Sequence, residues 1–185
     1  MQQPGKWPVV VFLLGGGLDK GSIKGVSRVI AGRGAVVFAP TWRSTESTVV
    51  DAQGQPVGYN DAAGAVRFAR AKAAEYGGDA AHIVLIGHSA GGAAGATLML
   101  AGDDFHGDYL VQEGSALPDA FVGLDEAYEL PKYTSESTIK KSSAEAWAFV
   151  NPYTYIDRQP ICWQERLHLS RAFGATTHVH SNLEF

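Results

Sequence analysis

The sequence predicts one α/β domain spanning all 185 residues and built on a mostly parallel sheet. Three observations lead there. Short, continuous apolar runs recur at residues 9–14, 34–39, 83–86 and 120–124, which suits strands covered on both faces. Helical or long crossover segments separate them, as parallel strands require. A composition of 45% hydrophobic and 18% charged residues describes a chain that can bury a core without staples. We expect about five or six strands flanked by helices, with any site at the carboxyl ends of the strands.

Each element has its own justification. Residues 9–14 (VVVFLL) form a buried strand stopped by Gly15, Gly16 and Gly17. Residues 25–31 have the length of a short helix, and residues 34–39 (GAVVFA) give a second buried strand, closed by Pro40. Residues 41–58 are rich in Ser, Thr, Gln and Gly and read as a loop over the sheet edge. Asn60 or Asp61 is expected to cap a long amphipathic helix. In it Val66, Phe68 and Ala69 would pack while Arg67, Arg70, Lys72 and Glu75 face water, with Gly77 and Gly78 ending it. The run 83–86 (IVLI) is the third buried strand, and residues 90–101, nearly all small, form a helix that can lie close on a sheet. After a loop at 102–118, residues 120–124 (AFVGL) make the next strand. Residues 125–150 are polar with a helical stretch near 142–149, and Asn151, Pro152 and Tyr153 open another connection. No internal repeat is visible.

Charge and composition exclude several functions. A net charge of −4 and a pI near 5.8 leave no basic footprint for nucleic acid or anionic lipid, and suit a small neutral substrate better than a polyanion. Cys162 is the single cysteine, so neither an intrachain disulfide nor a cysteine-based metal cage can form. The opening MQQPGKWPVVVFLL reads as a strand rather than a signal peptide, and no stretch of about 18 apolar residues is present. A cytoplasmic protein without a membrane partner is therefore expected. Asp103, Asp104, His106 and Asp108 crowd one loop but lack the ligand register of a hard-cation site, so a solvated turn is expected, with no metal and no cofactor.

The chemistry gathers at Gly87, Ser89 and Gly91, which satisfy G-x-S-x-G between a buried strand and a helix. A serine hydroxyl is a poor nucleophile at neutral pH unless it is held out toward a base and an acyl carbon, and a tight strand-to-helix turn holds it so. The flanking glycines leave room for strand and helix to approach. His88, beside the serine in sequence, is expected to pack along the elbow strand on the opposite side of the turn. His82 and His106 occupy ordinary polar positions.

The stretch from Tyr76-Gly-Gly-Asp79 through His82-Ile-Val-Leu-Ile-Gly-His-Ser-Ala-Gly-Gly92 resembles the α/β-hydrolase superfamily, in particular its small carboxylesterase branch related to hormone-sensitive lipase and to bacterial feruloyl and acetyl esterases. The likeness covers about residues 7 to 157 and fades after that, and it implies a minimal, shortened α/β-hydrolase fold. It also implies a serine carboxylic ester hydrolase, and because no lid-sized apolar insertion separates the elbow from the next strand, short acyl esters are the expected substrates. The alternative is a non-catalytic or truncated hydrolase-like module that keeps the elbow without a complete triad.

Acyl transfer needs a nucleophile, a base, an acid to orient the base, and donors aimed at the developing oxyanion. Ser89 is the nucleophile, and the backbone N–H of Ala90 at the helix start is one donor. The resemblance places further donors at Gly16 and Gly17, where family members have His-Gly-Gly-Gly or His-Gly-Gly followed by a small residue and Trp. Here the His is Leu14 and the Trp place is Leu18, changes that backbone donors survive. A phosphate cradle in this loop would need the lysine and Ser/Thr register of a P-loop, which is missing. The order nucleophile, acid, histidine leaves His168, His178 and His180 as bases, with His180 the expected one and His178 the fallback, in a segment, residues 174–180, that resembles the family's last strand. The family's His-Gly-x-x-Asp pattern is absent. Asp157, preceding the expected strand, is the expected acid, with Asp125 and Glu165 as the other candidates.

Overall fold

Strand β1 (Trp7–Leu13) lies inside the sheet of the computed structural model, which describes residues 7–124 except 17, 19, 45–48 and 108–112. Its neighbours are β2 (Val36–Phe38) on one side and β3 (Gly78–His88) on the other, and β4 (Ala120–Leu124) follows β3. All three pairings are parallel, giving the order β2-β1-β3-β4. Val9 stands opposite both Val36 and Ile83, and Leu85 opposite Phe121. The described residues thus hold four strands, fewer than expected of the whole sequence. Continuous hydrophobicity matches burial on both faces in β1, where every residue from Val9 to Leu13 is buried. In β2 that expectation fails. Its three residues are only half-buried, because among the described residues this strand has a partner on one side alone.

The helices cover the two faces unequally. Helix α2 (Val57–Lys72) and helix α3 (Ala90–Ala101) press Val66, Ala69, Ala94 and Leu98 onto Val9, Val11, Ile83 and Leu85 to make the main core. A smaller cluster of Phe12, Leu14 and Ile23, with Ile30 of helix α1 (Lys24–Gly32) against it, forms separately. The composition of α3 has a packing cause. A Cβ added at Gly95 would come within 2.3 Å of the Phe121 ring of β4, so the helix sits closer to the sheet than larger residues permit. No helix among the described residues is long and apolar enough to cross a membrane.

Helix α2 departs from its expected start. Neither Asn60 nor Asp61 caps it; the cap is Pro56, whose carbonyl accepts from the N–H groups of Tyr59 and Asn60. The two polar side chains face tertiary partners instead, Asn60 donating to Asp51 at 2.6 Å and Asp61 accepting from Arg43. Arg67 is also not in water. It is 5% exposed, its Nε donates to the Gly114 carbonyl at 2.8 Å, and desolvation lowers its pKa despite the opposing charge of Asp103. Arg70 is half-buried and donates to the carbonyls of Ala80 and Leu117, tying the approach to β4 onto the start of β3.

Candidate active site

Ser89 stands at the junction of β3 and α3 with φ 50° and ψ −123°, and among the described residues no other non-glycine residue has a positive φ. Such a conformation costs about 1–3 kcal/mol and persists only where its surroundings over-determine it. Here they do. Ser89 N–H donates to the Leu124 carbonyl at the end of β4, while the Ser89 carbonyl accepts from Gly92 N–H at 2.6 Å and Ala93 N–H at 3.2 Å. The flanking glycines close the turn from both sides. A Cβ at Gly87 would lie 2.1 Å from the Gly91 carbonyl oxygen, and one at Gly91 would lie 2.3 Å from that of Leu13. Both distances are far inside van der Waals contact with backbone that cannot swing away. The helix's own bonding begins at Gly92, so the N–H groups of Ala90 and Gly91 precede it at the positive end of the helix dipole.

The glycine loop after β1 runs directly against this turn. Leu14 is buried in the smaller cluster, which explains how an apolar residue is accommodated at the head of the loop. A Cβ at Gly15 would be 3.0 Å from Ser89 Cβ and 3.1 Å from His88 Nδ1. Gly15 is buried and Gly16 exposed. The Gly15 carbonyl accepts from Leu18 N–H at 3.4 Å and faces the Ser44 hydroxyl at 3.5 Å, while Trp42 Nε1–H donates to the Leu14 carbonyl at 3.1 Å. The loop's first two carbonyls are therefore occupied on the side of residues 42–44. His88 Nδ1 thus also lies against the glycine loop at Gly15.

Of the sequence-predicted site residues, the structure brings together Ser89, Ala90 and the loop that carries Gly16. Gly17, Asp157 and His180 lie outside the described residues, as do Asp125, Glu165, His168, His178 and Cys162. The acidic loop has structural ties. Asp103 accepts from Ala116 N–H and the Ser115 hydroxyl, and His106 meets Asn60 at 2.9 Å and Asp51 at 3.3 Å. Asp108 is outside the described residues, and no group of three or more potential metal ligands occurs among those described. His82 pairs with Asp79 on the surface. Sequence reading missed Trp42, Arg43 and Ser44, which it assigned to a loop. The available signal was a Trp and an Arg, both large and donor-bearing, at the head of a stretch rich in Ser, Thr, Gln and Gly.

Residues 1–118 match the family model BD-FAE. No curated protein matches the chain. Among solved structures it is similar to a thermophilic esterase, esterase 2, of the Planctomycetes species Thermogutta terrifontis. The propionate-bound form is 26% identical, with a TM-score of 0.62 over 84% of this chain and 58% of that one. The butyrate-bound form is 25% identical, with a TM-score of 0.62 over 84% and 59%. The form phosphorylated by paraoxon is 25% identical, with a TM-score of 0.60 over 84% and 56%. The chain thus spans less than two thirds of the length of the esterase it matches.

Proposed function

The chain belongs to the BD-FAE family, an α/β-hydrolase family, and on that premise we propose that it is a serine hydrolase of small carboxylic esters with Ser89 as its nucleophile. The observation that carries the reading is the Ser89 backbone, held at φ 50° between β3 and the start of α3 with the glycine loop against its Cβ. A strained, fully anchored serine at a helix N-terminus is what acyl transfer needs and what an ordinary turn does without. The Ser89 oxygen attacks the ester carbon as its proton passes to a histidine, His180 in our reading, oriented by Asp157. The carbonyl oxygen becomes an oxyanion held by the N–H groups of Ala90, Gly16 and Gly17. Its collapse expels the alcohol, which takes the proton from the histidine, and leaves an acyl group on Ser89. Water, deprotonated by the same histidine, then cleaves that acyl bond and releases the acid.

Propionate and butyrate bind the similar esterase, and the loop between α3 and β4 holds no lid-sized apolar insertion, which supports short acyl groups over long ones. Rates on p-nitrophenyl esters are expected to be highest from acetyl to butyryl and to fall toward palmitoyl; a steady climb toward palmitoyl would contradict this preference. The reading itself is tested with a fluorophosphonate probe, which requires an activated serine and no knowledge of the substrate. Labelling of the wild type that is lost in Ser89→Ala supports it. A folded wild type that does not label leaves the alternative, a hydrolase-shaped module without hydrolase chemistry.

A further inference from the structure

We propose that residues 42–44 are a strap that fixes the head of the oxyanion loop, with Trp42 as the positioning residue that holds the Leu14–Gly15 peptide immediately before the Gly16 donor; this rests on the serine-hydrolase reading above. A trans peptide is rigid and planar, and its carbonyl and the following N–H point in opposite directions. Holding the Leu14 carbonyl on Trp42 Nε1–H therefore turns the Gly15 N–H the other way. Holding the Gly15 carbonyl toward the Leu18 N–H and the Ser44 hydroxyl turns the Gly16 N–H the other way in the same manner. The Trp42 bond, at 3.1 Å, is the stronger tie, since 3.5 Å is at the outer limit for a hydroxyl donor.

The loop needs an external tie because glycine peptides rotate cheaply. Loss of the Trp42 tie would let the Leu14–Gly15 peptide flip and the Gly15–Gly16 peptide shift with it, carrying the Gly16 N–H off the developing oxyanion. The buried Leu14 side chain carries no polar group that could prevent the flip. The strap is itself fixed. Arg43 grips Asp61 of α2 in a bidentate pair, Nε to Oδ2 at 2.8 Å and Nη2 to Oδ1 at 2.7 Å, and its backbone N–H donates to the same carboxylate at 2.9 Å. The strap also rests on the first turn of α2, where a Cβ on Gly58 would come within 2.6 Å of the Arg43 carbonyl oxygen. A chain of rigid contacts thus runs from α2 through Arg43 and Trp42 to the Leu14 peptide.

Trp42→Phe keeps the aromatic ring and removes only the N–H. With p-nitrophenyl acetate it is expected to lower kcat by about tenfold to 10²-fold, the scale of a misplacement near 1 Å. KM should stay within about threefold, because donors aimed at the transition state contribute little to ground-state binding. Hydrogen exchange at the Leu18 amide, which donates to the Gly15 carbonyl, should accelerate while the β3 amides keep their protection. Asp61→Asn, which breaks the bidentate grip, is the second variant and should shift both readouts in the same direction. In an active wild type, Trp42→Phe with kcat within about twofold overturns the positioning role, even if exchange is faster, since the strap is then a structural tie only. Should the wild type neither label nor hydrolyse, the hydrolase reading fails. The positioning role then falls with it, whereas an active wild type with an unaffected Trp42→Phe overturns the positioning role alone.

Discussion

Turnover of p-nitrophenyl acetate is expected to fall by at least about 10³-fold in Ser89→Ala, and by a similar factor in His180→Ala. The two losses should be alike because nucleophile and base act as a unit. Without the base, the Ser89 hydroxyl keeps its proton and attacks weakly however well the elbow presents it; without the serine, the base has no proton to take. The double variant should therefore be no slower than either single one, since losses within a triad are not additive. What survives is the oxyanion hole and substrate binding, about 10³ to 10⁴ over water in enzymes stripped of their triad. His178→Ala serves as the internal comparison, two residues away along the same segment. A large loss there and none at His180 would move the base to His178. Similar slow rates for wild type and all three single variants, with folding confirmed by circular dichroism, would sink the enzyme reading. Changes in the hydrolysis rate alone are needed, so the comparison is independent of any natural substrate.

The parts of this site that were legible in the sequence are those whose physics is local. The elbow occupies five consecutive residues, Gly87 to Gly91, and each glycine answers to backbone atoms of the same turn or of the adjacent β1. The extents expected for α3 and β4 match the observed ones because a small-residue run and a short apolar run each have sharp ends. Long-range partners leave no such trace. Asn60 and Asp61 have the composition of a helix cap, and only the fold shows that Asp51 and Arg43 approach to engage them one turn inside the helix. Arg67 looks like a water-facing residue because nothing nearby in sequence announces the Gly114 carbonyl that receives its Nε–H. The strap is the extreme case, since its meaning lies in which carbonyls it meets on a loop that precedes it by almost thirty residues.

Gly91→Ala is expected to destabilise the fold and to slow turnover by about 10²-fold, against the direction that helix propensity alone predicts. Gly91 is inside α3, and replacing a helical glycine by alanine ordinarily stabilises by about 0.5–1 kcal/mol. Packing decides otherwise here. The new Cβ would lie 2.3 Å from the Leu13 carbonyl oxygen and 2.8 Å from that of Leu14, the first fixed in β1 and the second held by Trp42 Nε1–H. Overpacking of this kind costs about 1–3 kcal/mol and sometimes more. The strain also has a direction, since it pushes β1 and α3 apart at the point where the oxyanion loop leaves the strand, displacing the loop from Ser89. Two further glycines turn this into a graded test. Gly95→Ala meets the Phe121 ring at 2.3 Å, a side chain that can yield, so it should destabilise less and leave turnover nearly intact. Gly25→Ala in α1 meets nothing within 4 Å and should stabilise slightly, as propensity dictates. Thermal melts of the three variants should therefore rank Gly25→Ala above Gly95→Ala above Gly91→Ala, with the loss of turnover confined to the last. A Gly91→Ala protein that melts and turns over like the wild type would mean that α3 does not approach β1 this closely, and the account of how the elbow and the glycine loop are held together would fall with it.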